Sequence, residues 1–213
     1  HHYKHFGSKE FYFTDSLING SLKAFEEFLD AMVDAKQSGK LSESVVWSGQ
    51  FICRPIHQFT EKWFAKMKIA GAKQLHIGIE SGSESVMHDM GKKLSNDDID
   101  FTIAMLTKYE IQCDMLMIVG YPTETQDDFN LTLSLLERLS PYNEQGTISG
   151  VNLGKTMVVL PGSPIGENLS HWGIEYDENN NWFSTKNPSL TFKERVKRRL
   201  LAQEKCEDLG YMV

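Results

Sequence analysis

Strand-like and helix-like stretches alternate along the whole chain, and this alternation constrains the fold more than any other feature. Residues 9–14 are β-prone and end at Asp15-Ser16. Leu22, Phe25, Leu29 and Met32 then recur at helical spacing, so they share one face. Val45-Val46-Trp47 opens a second strand that runs to about Cys53. Thr60 is placed to cap a helix that stops at Gly71. Residues 74–79 read as a third strand. Ser95 and Asp98 form a capping-box pair ahead of a helix whose inward stripe is Ile99, Ile103 and Leu106. Residues 115–119 read as a fourth strand, and Thr125 with Asp128 starts the next helix, with Phe129, Leu133 and Leu136 inward. A fifth strand falls within 148–160, with 155–160 as its expected position. Successive strands begin roughly 30 to 40 residues apart, as βα units with right-handed crossovers require. Several strands read as apolar on both faces, as buried parallel strands do. The expected fold class is α/β with a parallel (βα) repeat. Periodicity alone leaves barrel and open sheet both standing. No GxGxxG follows the first strand, which counts against a dinucleotide-binding Rossmann fold.

The polar and glycine residues gather after the strands: Thr14-Asp15-Ser16, Arg54, Glu80-Ser81-Gly82-Ser83, Gly120-Tyr121-Pro122 and Pro161-Gly162-Ser163. In a barrel these positions form the C-terminal rim, where active sites are built. Residues 170–213 differ. They begin with an irregular covering segment containing Trp172, Trp182 and Phe183, and close with a helix opened by Thr191 and Glu194 and stopped by Gly210. The expected organisation is a partial barrel over 1–169 and a covering segment with its helix over 170–213. The cluster Lys193, Arg195, Lys197, Arg198 and Arg199 reads as a solvated face of that helix.

With 40% hydrophobic and 24% charged residues, a chain of 213 residues sustains a packed core. The net charge of −7 argues against nonspecific nucleic-acid binding, which needs clustered cations. Cys53, Cys113 and Cys206 are odd in number and widely spaced, so a disulfide framework is not expected and the chain reads as cytoplasmic. No apolar run reaches the roughly 20 residues of a membrane span. The opening His1-His2-Tyr3-Lys4-His5 reads as native sequence at the end of a helix, so the chain is expected to start within a longer protein. There is no HExxH, GxSxG or P-loop.

Several residues can carry chemistry. Glu80, at a strand end before Ser81-Gly82-Ser83, can accept hydrogen bonds from ribose hydroxyls, and Gly82 can admit a ligand close to the backbone. Glu80 can equally pair with a loop lysine. Lys92 can reach back to a carboxylate or lie solvated at the surface. Gly120 and Pro122 force an irregular turn that exposes backbone groups. Asp15 can accept from an amine; Arg54 can hold a carboxylate in a bidentate fork or form a structural pair. His76, inside a strand, reads as a hydrogen-bonded lining histidine.

Taken in order, Cys53-Arg54-Pro55, Gly78-Ile79-Glu80-Ser81-Gly82-Ser83, Met90-Gly91-Lys92-Lys93 and Gly120-Tyr121-Pro122-Thr123-Glu124-Thr125 resemble the radical S-adenosylmethionine (SAM) superfamily. The likeness is to its elongator-like and cobalamin-dependent-like branch and covers about residues 9–165. It implies a six-stranded partial TIM-type barrel, incomplete at the N-terminus in this chain. It also implies a [4Fe-4S] cluster on three cysteines, and cleavage of SAM to methionine and a 5′-deoxyadenosyl radical. By resemblance, Glu80 and Ser81 contact the SAM ribose, Lys92 approaches the methionine carboxylate, and Gly120 and Pro122 shape the adenine side. Asp15 and Ser16 sit beside the amino group, and Arg54 stands at its rim position. The run Val159-Leu160-Pro161-Gly162-Ser163-Pro164 resembles the exit of the sixth strand. An electron donor such as flavodoxin or ferredoxin and a cobalamin domain upstream belong to the same implication. The substrate is not legible.

The CxxxCxxC cluster loop of that superfamily is not in the sequence, and Cys53, Cys113 and Cys206 do not reproduce its spacing. The expectation is that the cluster ligands precede residue 1. The alternative is a non-catalytic barrel used for ligand binding or interaction. A barrel lyase or aldolase ranks below both, because no Schiff-base lysine or paired carboxylates stand inside strands.

Overall fold

The computed structural model describes residues 1–213. In chain order the elements are α1 (His2–Phe6), β1 (Glu10–Phe13), α2 (Leu22–Gln37), β2 (Val46–Phe51), α3 (Glu61–Ala70) and β3 (Ala72–Glu80). Then come α4 (Glu84–Asp89), α5 (Asn96–Lys108), β4 (Gln112–Met117), α6 (Gln126–Glu144) and β5 (Ile148–Asn152). The chain closes with α7 (Leu169–Trp172), β6 (Ile174–Tyr176), β7 (Trp182–Ser184) and α8 (Phe192–Asp208). Five parallel strands form one sheet in the order β1-β2-β3-β4-β5, and β6 and β7 form a separate antiparallel pair. Sequential order with helical connections is the α/β repeat expected; the sheet stays open, as in a partial barrel. No helix is long and apolar enough to cross a membrane.

The strands are not apolar on both faces. Trp47, Gly49 and Phe51 of β2 are buried while Ser48 and Gln50 between them are half-buried, and β3 and β4 alternate likewise. One face therefore packs into the core and the other carries polar side chains, the period-two pattern of a one-sided sheet. The fourth strand begins earlier than expected, because Cys113 N already donates to Thr147 O at 2.8 Å. The fifth strand is Ile148–Asn152, not 155–160, which has no regular structure. Burial decides this: Ile148 and Val151 are in the core, whereas Val158 and Leu160 stand exposed. Val151 N donates to Met212 O at 2.8 Å, so the end of the chain is bonded to β5.

The chain divides into two compact units. The first comprises His1–Ile79, Leu94–Met115 and Pro141–Gly150. Its core is aromatic. Phe25 stacks on Trp63 with ring centroids 6.0 Å apart, Phe59 on Trp63 at 5.0 Å, and Phe25 meets Trp47 and Phe51 edge-on. Such offset and edge arrangements match the ring quadrupole. Ser95 and Asp98 form the full reciprocal capping box of α5, and Ile99, Ile103 and Leu106 are fully buried. Gly71 ends α3 at φ 94°, and a Cβ there would meet Val45 O at 2.5 Å.

The second unit comprises Glu80–Lys93, Leu116–Ser140 and Val151–Val213. Its apolar cluster joins Val86, Tyr121, Val159, Ile165, Ile174, Trp182 and Leu190. Within 170–190 the chain is not simply irregular: β6 and β7 pair through a turn in which Asp177 Oδ1 accepts from the Asn179 and Asn181 amides. The inward stripe of α6 is Phe129, Thr132, Leu135, Leu136 and Leu139, with Leu133 off it. The basic cluster of α8 is split: Lys193 and Lys197 are exposed as a solvated face requires, but two of its arginines are not. Arg195 and Arg198 are 1% and 2% exposed and share the buried side with Ala202 and Cys206.

Candidate functional site

The eight residues singled out in the sequence fall in both units. Asp15, Ser16 and Arg54 belong to the first; Glu80, Ser81, Lys92, Gly120 and Pro122 belong to the second. Each group is described within its own unit.

In the first unit, Asp15 and Ser16 follow β1 and are exposed. Arg54 makes neither a carboxylate fork nor a structural ion pair. Its Nη2 donates to Asn19 O and Gly20 O, both at 2.7 Å, and its Nε is buried without a partner. Asn19 completes the clamp, its side chain exchanging bonds with Ile52 O and Ile52 N at 2.8 and 3.0 Å. Arginine here fixes the loop after β1 to the end of β2. On the polar face of the sheet, His76 Nδ1 lies 3.0 Å from Asp114 Oδ2, while Gln74 Nε2 donates to Asp114 and to Ser149 Oγ. Gln50 donates to Tyr12 Oη at 3.2 Å. A hydrogen-bonded, lining histidine was expected at 76; its row of partners was not, because they come from four other strands.

In the second unit, Glu80 stands at φ 72° at the end of β3. A non-glycine residue in the left-handed region costs on the order of 1–3 kcal/mol and persists only where its surroundings impose it. Its carboxylate meets Lys92 Nζ at 2.9 Å, with both side chains mostly buried. The pairing with a loop lysine, one of the two readings of Glu80, is therefore formed. Ser81 is fully buried: its Oγ lies 3.1 Å from Thr132 Oγ1 and accepts from Ser83 N at 3.1 Å. Gly82 N donates to Thr132 Oγ1, and Ser83 Oγ donates to Asp128 Oδ1 at 2.5 Å. Gly82 is needed for packing on α6, since a Cβ there would lie 2.4 Å from Leu131 O. The loop 80–83 is thus a rigid platform riveted to α6 through Asp128 and Thr132.

Asp128 also caps α6, accepting from Thr125 N and Thr125 Oγ1 at 2.9 and 2.6 Å. Burial opposes its charge, but the bonds from Ser83, Thr125 and Ser85 outweigh this and hold the carboxyl below the usual range. Gly120 turns at φ 84°, and the space of its missing Cβ is filled by Arg195, whose Cγ would lie 2.7 Å from it. Pro122 O accepts from Asn187 Nδ2 at 3.2 Å. Glu124 is fully buried; its Oε2 accepts from Gly120 N at 3.1 Å and its Oε1 from Arg198 Nη1 at 3.0 Å. Burial pushes the Glu124 carboxyl up, with Arg198 and the Gly120 amide pulling against it.

Reading the sequence missed Glu124, Asp128, Thr132 and the two arginines as site-shaping residues. One signal was present: Arg195, Arg198, Ala202 and Cys206 fall on one helical stripe, and alanine and cysteine mark it as the inward one.

The cysteines do not fit a cluster. Cys53, Cys113 and Cys206 are buried, the first two lie in the first unit and the third in the second, and no group of three His, Cys, Asp or Glu side chains is arranged to hold a metal ion. Burial raises the Cys113 thiol far above its ordinary value and Cys206 to about 11, the opposite of a thiolate ligand.

An open sheet of parallel strands joined by helices defines a class, the partial (βα) barrels, and comparison with known proteins narrows it. No protein-family model matches the chain. Its fold is shared with the radical S-adenosylmethionine methyltransferase TsrM from Kitasatospora setae, with a TM-score of 0.72 at 13% identity over 94% of this chain and 44% of that one. An uncharacterized methyltransferase from Pyrococcus horikoshii is 25% identical over 148 residues, 70% of this chain. A probable threonylcarbamoyladenosine tRNA methylthiotransferase from Methanothermobacter thermautotrophicus is 38% identical over 69 residues, 32% of this chain. The chain spans only 30% and 16% of the lengths of these two relatives. The fold is therefore the one found in radical SAM enzymes.

Proposed function

We propose that this chain is the SAM-binding part of a radical SAM enzyme, and that the thiolates for its [4Fe-4S] cluster lie outside these 213 residues. The observation that carries the reading is Glu80, held at φ 72° at a strand end with its carboxylate on Lys92. Strain imposed by a rigid platform is the mark of a positioned group. In this reading Glu80 accepts from the SAM ribose hydroxyls, and Lys92 turns its ammonium to the methionine carboxylate. Ser81 serves by fixing the platform, because its hydroxyl is already bonded to Thr132. Gly120 and Pro122 shape the adenine side. Within the first unit, Asp15 and Ser16 are exposed acceptors, and Arg54 holds the loop that carries them. SAM bound there would supply an adenosyl or methyl group for chemistry on a substrate at the rim. No step is assigned to the cluster, since the residues present do not hold one. An electron donor of the flavodoxin or ferredoxin kind, and cobalamin carried by another domain, belong to the same proposal.

Calorimetry of this chain with S-adenosylhomocysteine tests the reading. Saturable binding is expected, weakened about tenfold or more by Glu80→Ala, which deletes two charge-assisted bonds. Equal affinity in the variant removes the ribose assignment. A second reading is a barrel that binds a ligand without radical chemistry. It predicts that the full-length coding region, like this chain, lacks CxxxCxxC.

A further inference from the structure

Two arginines one turn apart on α8 are both buried, and only one is answered. Arg198 Nη1 meets Glu124 Oε1 at 3.0 Å and the carbonyls of Glu124 and Thr125 at 3.1 Å, and its Nε meets Glu194 at 3.3 Å. Arg195 has no carboxylate within ion-pair range. Its Nη1 reaches Leu190 O at 3.4 Å, and its Nε is buried without a partner. The guanidinium carbon stacks 3.5 Å from the centroid of the Trp182 ring, with Phe192 at 5.6 Å. Cation–π contact stabilises the charge but does not neutralise it. Asp177 acts on it through its charge without contacting it, and already receives the Asn179 and Asn181 amides. Burial of the unanswered charge lowers the Arg195 pKa to about 10.

This side chain forms part of the wall of a cleft of about 340 Å³ in the second unit. Tyr176 and Phe192, each more than a third exposed, offer flat apolar surface there, and Asn180 and Asn181 offer amides. A buried charge that no carboxylate contacts is costly, so the fold bears a penalty that a ligand would relieve. We infer that this cleft is a binding site for a small oxyanion, a carboxylate or phosphate group on a flat apolar body, with Arg195 receiving the oxyanion. The planar fork of arginine matches both groups bidentately. The aromatic walls take the body, and the asparagines take its polar edge. None of the residues assigned to SAM lines this cleft, although Arg195 packs on Gly120.

The test is titration of the ¹⁵N-labelled chain with benzoate, phenyl phosphate and the neutral benzyl alcohol, following the Trp182 indole N–H by NMR. That resonance is assigned by Trp182→Phe, and its proton is fixed on Met157 O. Saturable shifts are expected with the anions and not with benzyl alcohol. The tighter of benzoate and phenyl phosphate names the oxyanion. Arg195→Gln is expected to weaken binding about tenfold or more. Should that variant not fold, Val158→Asp places a competing carboxylate on an exposed wall position of the same cleft and is expected to weaken anion binding equally. Equal shifts with benzyl alcohol overturn the inference. So does no response to either anion, or unchanged affinity in a folded variant.

Discussion

Replacing Glu124 by alanine removes the fully buried carboxylate of the two that meet Arg198. Glu124 is fully buried and the Arg198 side chain is 3% exposed, so neither can turn to solvent. The variant strands a guanidinium and leaves the Gly120 amide without its 3.1 Å acceptor. Breaking a buried pair at one member costs about 3–5 kcal/mol. Arg198 would keep the carbonyls of residues 124 and 125 and the Glu194 carboxylate, which places the loss near the lower end, about 3 kcal/mol. Against a typical stability of about 5–15 kcal/mol this is a large share. Glu124→Gln keeps an acceptor and loses only the charge, so about 1–2 kcal/mol is expected. The double variant Glu124→Leu with Arg198→Met replaces the pair by apolar groups and should lie within about 1 kcal/mol of the parent, or above it. Equilibrium urea unfolding, followed by far-ultraviolet circular dichroism, measures all three. The reasoning is refuted if alanine costs under about 1 kcal/mol, or if the double variant is as unstable as the single one.

Gly82→Ala should destabilise by about 1–3 kcal/mol, because the new Cβ would stand 2.4 Å from Leu131 O, a main-chain atom that cannot swing away; urea unfolding reads it. Acid should weaken the fold through Asp98 and Asp128, whose carboxyls their hydrogen bonds hold below the usual range against the pull of burial. Their contribution is fully present above the unfolded value of about 3.9 and is lost as pH falls through the lower folded values, so Asp128→Asn should flatten the stability profile below about pH 4. All three cysteines should resist an aromatic disulfide reagent until urea unfolds the chain, because burial raises Cys113 and Cys206 and Cys53 is only 2% exposed. Labelling faster than unfolding would contradict that burial.

The local signals were legible where neighbours in sequence satisfy one another. The Ser95–Asp98 box, the Thr125–Asp128 cap and the Gly71 stop are settled within four residues or so, and all three appear where expected. The fifth strand was misplaced because 148–152 and 155–160 are both β-compatible. Only the partners of Ile148 and Val151 in the core, and the bond from Val151 to Met212, distinguish them. The polar face of the sheet was misjudged for a related reason. Ser48, Gln50, Gln74, His76 and Asp114 are plain in the sequence, but that they stand together depends on strand order and register. Ser81 looked like a ligand contact from its place after Glu80; Thr132, 51 residues later, engages its hydroxyl.

The sequence alone determined the alternating α/β repeat, most helix limits and the loops that could carry a site, because helix caps and hydrophobic period are short-range physics. Tertiary structure alone decided which charges are answered. Lys92 finds Glu80 across 12 residues and Arg198 finds Glu124 across 74, while Arg195, three residues before it, finds an aromatic ring and an open cleft. Whether a buried charge is paired depends on which distant segment the fold brings to it, and no local pattern encodes that distance.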